Sequence, residues 1–170
     1  MNADSIVYCI AQFEMFTASF YEKLSQRVSD ESVSLILQLI SMDSRTHSQI
    51  FVELARRLGF LEPPGNCREI VGEPWRRVES LTSRLDVAIE ISLPEYLKDL
   101  ELVENFVGEE TFTRIILPLL KDALSERDAG LAEATSLIIN KIIEDEKHHE
   151  KLVRKAMDIA EKRSVKRKTP

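Results

Sequence analysis

The feature of this chain that most limits its possible folds is an internal repeat. Residues 35–47 align with residues 137–149, and residues 7–29 align with residues 103–125. Leucine-rich helices resemble one another easily, so the matched polar residues matter most, because apolar periodicity does not account for them. These matched residues are Glu14 with Glu110, Asp43 with Asp145, and His47 with His149. The repeat, with an insertion in the second copy around residues 128–136, predicts two similar helical hairpins.

Apolar residues recur at helical spacing along most of the chain and predict two long helices in each hairpin. The first covers residues 4–28, and the second follows a capping turn at residues 29–32 and stops at Gly59. The third runs over residues 92–124, and the fourth covers residues 128–163. Only five glycines and six prolines occur, which favours long helices over many short strands. The predicted fold class is therefore all-α, a four-helix bundle of two repeated hairpins.

A long crossover, residues 59–92, connects the two hairpins in this prediction. It contains a Pro-Pro-Gly break, followed by a short helix predicted at residues 75–85. Pro118 is expected to kink the third helix, because proline removes a backbone donor. We predict one domain, residues 1–163, followed by a basic, solvated tail of residues 164–170.

The charge balance and the cysteines exclude several classes of function. A formal net charge of −6 argues against a nucleic-acid partner. The longest run without a charged residue, residues 32–42, is too short to cross a bilayer, and Asp4 interrupts any N-terminal signal pattern. Cys9 and Cys67 are far apart and form no Cys-x-x-Cys pair. We therefore expect two unpaired thiols in a cytoplasmic protein that has no membrane partner.

Two motifs point to a known family. Glu14 stands seven residues before Tyr21 in the first helix, and the fourth helix carries Glu146-Lys-His-His149, a Glu-x-x-His motif. Residues at i and i+3 lie on one helix face, so Glu146 and His149 can bind one ion together. With the surrounding stretch 145–152, these motifs resemble the rubrerythrin-type proteins of the ferritin-like superfamily, without their rubredoxin-like domain. The resemblance covers the four long helices but not the crossover.

The resemblance implies a ferritin-like bundle with a metal site at its centre. In that family two helices each give one Glu, and the other two each give a Glu-x-x-His pair. The ligand set that it implies in this chain is Glu14, His47, Glu110, Glu146 and His149. Only the repeat selects Glu110 over its neighbour Glu109. Carboxylate oxygens and imidazole nitrogens suit two iron ions, with manganese or zinc as alternatives.

The second helix departs from the family pattern. Three residues before His47 the chain has Ser44 instead of Glu. Asp43 stands one residue earlier, rotated by about a hundred degrees around the helix, and is the copy of Asp145. We therefore interpret Asp43 as an outer residue and not as a replacement ligand. The site can hold one metal, two metals or none, and His47 can also be a hydrogen-bonded core histidine.

The function expected from the resemblance is oxidation of Fe(II), or reduction of peroxide or oxygen, at the carboxylate–histidine site. Whether the chain is an enzyme stays open. The alternative is a degenerate bundle that lost the chemistry through Ser44 and acts as a binding or structural module. A hydroxylase acting on an organic substrate is a third, weaker interpretation. A redox-active chain needs a separate electron donor, and the family also implies a homodimer, with the crossover around Trp75 as a candidate surface.

Overall fold

The computed structural model describes residues 3–59, 65–105, 116, 118, 120 and 129–167. Within these ranges the chain is helical and contains no β-strand, which confirms the all-α class. Six helices are described there: α1 Ala3–Arg27, α2 Glu31–Leu58, α3 Cys67–Val71, α4 Glu73–Val87, α5 Leu93–Asn105 and α6 Ala129–Arg167. No described helix is both long and apolar enough to span a membrane.

Local chemistry sets both ends of α2 where the sequence predicts them. Asp30 precedes the helix, and its carboxylate accepts hydrogen bonds from the backbone nitrogens of Ser32 and Val33 at 3.0 and 3.2 Å. This cap satisfies two of the donors that a helix start leaves unpaired. Gly59 ends the helix in the left-handed region, with a φ of 74°, a conformation that glycine adopts without strain.

Two serine hydroxyls fix the register between α1 and α2. Ser41 donates to the backbone oxygen of Ala18 at 2.8 Å, and Ser48 donates to that of Ala11 at 2.7 Å. Small side chains at these positions allow the two helices to approach closely along their length. The bonds bracket the middle of the hairpin, so Glu14 of α1 is held beside the centre of α2.

The crossover folds back onto α1 and covers part of its apolar face. Its main helix, α4, is longer than the predicted residues 75–85, and Pro74 lies in its first turn. Trp75 packs against Phe13 and Phe16, with ring centroids 6.1 and 5.3 Å apart. Trp75 is therefore partly buried against the core instead of standing free on the surface.

The expectation of two unpaired thiols is wrong. Cys9 of α1 and Cys67 of α3 form a disulfide, and both residues are buried. The two cysteines are 58 residues apart in sequence, but the entropic cost of closing a loop rises only slowly with its length. The pairing became possible because the crossover returns to α1, which no local sequence pattern shows.

The part of the chain that follows the crossover is described in part. α5 begins at Leu93, close to the predicted start, and α6 continues to Arg167, into the segment 164–170 that was predicted as a tail. Residues 106–115 lie outside the described ranges, as do 117, 119 and 121–128, so most of the second half of the predicted third helix is not described. The predicted kink at Pro118 falls in this part of the chain.

Candidate metal centre

Five ionisable side chains from four helices meet in the interior of the bundle. Each is at most 3 % exposed. They are Glu14 of α1, His47 of α2, Glu104 of α5, and Glu146 and His149 of α6. Charged groups are almost never buried to this extent unless they are paired or bind a cation. The centre therefore needs a chemical explanation beyond packing.

The first group of ligand atoms joins α1, α2 and α6. The Nδ1 atom of His47 lies 3.0 Å from Oε1 of Glu146 and 3.9 Å from Oε2 of Glu14. One potential ligand atom from each of these three residues lies within 4.8 Å of the others. Two carboxylates and one imidazole at this spacing can hold a single divalent cation.

The second group joins α5 and α6 and shares one residue with the first. The Nδ1 atom of His149 lies 3.6 Å from Oε2 of Glu104 and 3.7 Å from Oε1 of Glu146. These three residues also offer ligand atoms within 4.8 Å of one another. Glu146 therefore belongs to both groups, and its Oε1 atom faces both histidines.

The outer nitrogens of the two histidines face aspartates in a reciprocal arrangement. Nε2 of His47 on α2 lies 3.5 Å from Oδ2 of Asp145 on α6. Nε2 of His149 on α6 lies 3.3 Å from Oδ2 of Asp43 on α2. A carboxylate behind an imidazole fixes the ring orientation and leaves the inner nitrogen free to bind a metal. Asp43 thus lies outside the centre, beside a histidine, as the sequence indicates.

Four buried atoms in the centre make no hydrogen bond of acceptable geometry among the described residues, although Nδ1 of His47 and Oε1 of Glu146 lie 3.0 Å apart. They are Oε1 of Glu14, Nδ1 of His47, Oε1 of Glu146 and Nδ1 of His149. Leaving a buried polar atom unpaired costs about 1–3 kcal/mol, and more for a charged group. All four atoms belong to residues of the two ligand groups, and a cation bound by these residues would give such atoms a partner. The donor set therefore fits a metal.

The protonation of the carboxylates in the metal-free centre is uneven. Burial, followed by the negative charges of Glu146 and Glu104, raises the pKa of Glu14 well above its ordinary value. Burial also raises the pKa of Glu104. Burial opposes ionisation of Glu146 too, but the adjacent His149 and His47 outweigh it and lower the pKa of Glu146 to about 2. Glu146, the shared residue, is thus the carboxylate that stays ionised most readily.

His149 takes the opposite charge in the metal-free centre. Burial alone would lower its pKa, but Asp43, Glu104 and Glu146 together raise the pKa of His149 far above the ordinary value. Asp43 itself has a lowered pKa, chiefly because it faces His149. A protonated His149 between carboxylates does electrostatically what a bound cation would do.

Ser44 lies at the buried position that the family pattern assigns to a fourth carboxylate. Its side chain is 2 % exposed, and its hydroxyl favours the ionised form of Glu14. A serine is too short to bridge two cations in the way that a Glu does. Among the described residues, the centre has one carboxylate common to both ligand groups, Glu146.

The structure brings together four of the predicted ligands, namely Glu14, His47, Glu146 and His149. The fifth, Glu110, lies outside the described residues, as does its competitor Glu109. Sequence reasoning missed Glu104, although it continues the apolar stripe of Leu97 and Leu100 at helical spacing. The repeat pairs Glu14 with Glu110 and therefore predicts Glu110 instead.

Tyr21 supports the missed ligand. Its hydroxyl donates to Oε1 of Glu104 at 2.5 Å, and this contact is buried. Through this bond, α1 holds the Oε1 atom of Glu104, while the Oε2 atom of Glu104 faces His149. The seven-residue spacing of Glu14 and Tyr21 therefore places both side chains on the face of α1 that is turned toward the centre.

Comparisons with known proteins give no identification. No family model, curated protein or solved structure matches this chain. The fold and the site define the class alone: an all-α protein with buried carboxylate and imidazole groups at metal-binding distances. The function has to be inferred from these groups.

Proposed function

We propose that this chain is a ferritin-like, rubrerythrin-type protein that binds two iron ions and oxidises Fe(II) with peroxide or oxygen. The observation that carries the proposal is that two three-residue ligand groups share Glu146. One ion would be held by Glu14, His47 and Glu146, and the other by Glu104, His149 and Glu146. A shared carboxylate is the usual means by which bundles of this class hold two cations side by side.

The ligand types favour iron. Each ion would have one imidazole and two carboxylate ligands, a set that suits iron or manganese and also accepts zinc. Three protein ligands leave coordination positions open for water or a small substrate. If this site held two ferrous ions, they would supply the two electrons that, with two protons, reduce one peroxide to two waters.

The protein's own residues prepare this site for that chemistry. Asp145 and Asp43 orient His47 and His149 from behind. Tyr21 fixes Glu104 from α1. Burial of all five inner residues excludes bulk water and keeps their charges directed at one another.

The reciprocal contacts between α2 and α6 support the ferritin-like part of the proposal. Asp43 faces His149 while Asp145 faces His47, so the two helices use equivalent residues in equivalent roles. Duplicated hairpins related by a pseudo-twofold axis would produce this exchange. The same two helices carry the aligned residues 35–47 and 137–149.

Electrons for repeated turnover would come from a separate donor. The chain has two cysteines, and both are used in the Cys9–Cys67 disulfide, so neither can hold a cysteine-ligated iron centre in this state. Anaerobic incubation of the oxidised, iron-loaded protein without any donor should leave the iron ferric. Spontaneous return to Fe(II) would contradict this part of the proposal.

We extend the proposal to a homodimer formed on the outer face of α2. Leu35, Leu39 and Met42 follow one another at helical spacing there and are 65, 44 and 67 % exposed. A second copy would cover this apolar surface. Sedimentation equilibrium tests the extension, and a mass of 19.5 kDa, that of one chain, would contradict it.

The decisive test of the metal site compares the iron content of two kinds of variant. One lacks the ligand that is common to both groups, and the other lacks a ligand that belongs to a single group. After anaerobic loading with Fe(II) and removal of excess metal, the wild-type protein should retain about two irons per chain. Glu14→Ala and Glu104→Ala should each retain about one, because each removes a ligand from one group. Glu146→Ala should retain almost none, because it removes a ligand from both. Addition of peroxide to the wild type should then oxidise about two irons per peroxide.

Glu144→Ala is the matched control, because Glu144 is an exposed residue on the same helix and lies outside both ligand groups. It should bind iron like the wild type. Helicity measured by circular dichroism shows whether any variant fails to fold. Equal iron loss in Glu14→Ala and Glu146→Ala would contradict a shared Glu146. Absence of metal from the wild type would favour the metal-free bundle, for which Ser44 is the specific observation.

A further inference from the structure

A cleft between α2 and α6 lies on the outer side of His47. It has a volume of about 410 Å³, within the size range of small-molecule sites. Its walls include Ile50 of α2 and Ile138 and Ile142 of α6. His47 and Asp145, which face each other behind the metal centre, line the same cleft.

The polar groups in this cleft are chiefly hydrogen-bond acceptors. The carboxylates of Asp43 and Asp145 both line it. Lys141 also lines it, but its ammonium group is already held by Asp145. The hydroxyl of Thr46 donates to the backbone oxygen of Met42 at 3.0 Å, which commits its proton. A ligand that matched the cleft would bring an apolar body and its own hydroxyl donors.

Charge limits the ligand further. Two carboxylates disfavour an anion, whereas Lys141 offsets part of the attraction for a cation, and an ion of either sign would lose hydration against the apolar walls. A neutral molecule avoids both costs. Apolar walls that include three isoleucines suit an aromatic ring better than a hydrated polar molecule.

We propose that this cleft binds a small neutral aromatic molecule with hydroxyl donors, of the phenol or hydroquinone class. The ring would lie against Ile50, Ile138 and Ile142, and its hydroxyl groups would donate to Asp43 or Asp145. His47 separates this ligand from the metal centre, with Nε2 on the Asp145 side and Nδ1 toward Glu146.

A hydroquinone in this position would serve as the missing electron donor, and this step rests on the proposed function. Two O–H bonds of the hydroquinone break, and the molecule loses two electrons and two protons to become a quinone. Peroxide takes up two electrons and two protons as its O–O bond breaks, giving two waters. The overall reaction is therefore balanced without another reductant.

The binding test uses the metal-free protein, so that it does not depend on iron uptake. Phenol, benzoate and benzylamine are neutral, anionic and cationic probes built on one ring. Calorimetric titration should show saturable binding of phenol at one site and weaker binding of the two charged probes. Tighter binding of benzoate or benzylamine would overturn the assigned ligand class, and absence of saturable phenol binding would overturn the site.

Two tryptophan variants locate the site. Ile138→Trp fills the cleft and should weaken phenol binding at least about tenfold. Val52→Trp is the control, because Val52 is a similarly exposed β-branched residue on α2, 47 % against 38 % for Ile138, and does not line the cleft. Equal binding by both variants would contradict the location. Contacts between phenol ring protons and isoleucine methyl groups, measured by NMR on the wild type, test it independently of any variant.

A redox experiment distinguishes failure of the cleft proposal from failure of the proposed metal site. Oxidised, iron-loaded protein mixed anaerobically with hydroquinone should form about one quinone per two irons reduced. Ile138→Trp should slow this reaction while leaving the iron content and the reaction with peroxide unchanged. Phenol binding without iron uptake would retain the cleft and reject the redox site. Iron oxidation with equal hydroquinone rates in both tryptophan variants would reject the cleft as the donor site.

Discussion

Ser44 lies three residues before His47 on α2, buried beside the carboxylate of Glu14. Replacing it by Glu should add a second carboxylate that reaches both proposed ions. We expect Ser44→Glu to lose iron to a chelator more slowly than the wild type. Without metal the same variant should be less stable by about 1–3 kcal/mol, because it buries another carboxylate among three.

Ser44→Gln separates charge from size in this experiment. It has nearly the same shape as the Glu variant but brings no negative charge to the centre. It should lose iron at least as fast as the wild type in the chelator assay. If the Glu and Gln variants release iron at the same rate, position 44 does not contribute a metal ligand in this fold.

The residues of the centre were predictable where the signal was local and were missed where it was not. Glu146 and His149 share one helix face, which their spacing alone shows. Glu104 also lies on a regular apolar stripe, but its role depends on how α5 packs against Tyr21 of α1 and His149 of α6. That contact joins segments more than 80 residues apart, since Tyr21 and Glu104 are separated by 83 positions. The spacing of apolar residues along the sequence cannot show that these two segments come into contact.

At the scale of elements, local residues determine the ends of α2, whereas tertiary contacts determine the position of the crossover. The bounds of α2 follow from Asp30 and Gly59, which act on the helix ends directly, so the sequence predicts them well. The disulfide to α1 holds α3, and the packing of Trp75 against Phe13 holds α4. These are tertiary interactions, and cysteine spacing alone gave the wrong expectation.

The disulfide should therefore contribute measurably to stability by holding the crossover on α1. Closing a loop between cysteines 58 residues apart restricts the unfolded chain by about 4 kcal/mol in the chain-entropy model. We expect reduction with a strong thiol reagent to lower the free energy of unfolding, measured with urea, by an amount of this order. The double variant Cys9→Ala, Cys67→Ala should lose a similar amount and should no longer respond to the reductant. A wild-type protein whose urea midpoint is the same with and without reductant would contradict the stabilising role.

At the scale of the whole molecule, the candidate centre is the point at which α1, α2, α5 and α6 all meet. The metal-free protein must bury three carboxylates and two imidazoles there, and four of their atoms have no hydrogen-bond partner among the described residues. In that state the surrounding apolar core encloses these groups, and the neighbouring carboxylates raise the pKa of His149. A bound cation would replace this arrangement by direct bonds from all four of these helices. Metal occupancy should therefore act on the fold as a whole and not on one helix.

This coupling predicts how metal removal changes thermal stability. A ligand that binds only the folded state stabilises it by RT ln(1 + [L]/Kd), about 2.7 kcal/mol when its free concentration is a hundredfold above Kd. The thermal midpoint should fall when iron is removed by a chelator and should rise again with the logarithm of added Fe(II) under anaerobic conditions. Zn(II) should give the same kind of increase, because the effect depends on the ligands and not on electron transfer. In Glu146→Ala both metals should leave the midpoint almost unchanged, whereas Glu144→Ala should respond as the wild type does. A metal-induced increase of equal size in Glu146→Ala would mean that the stabilising ion binds elsewhere, because Glu146 is common to both ligand groups.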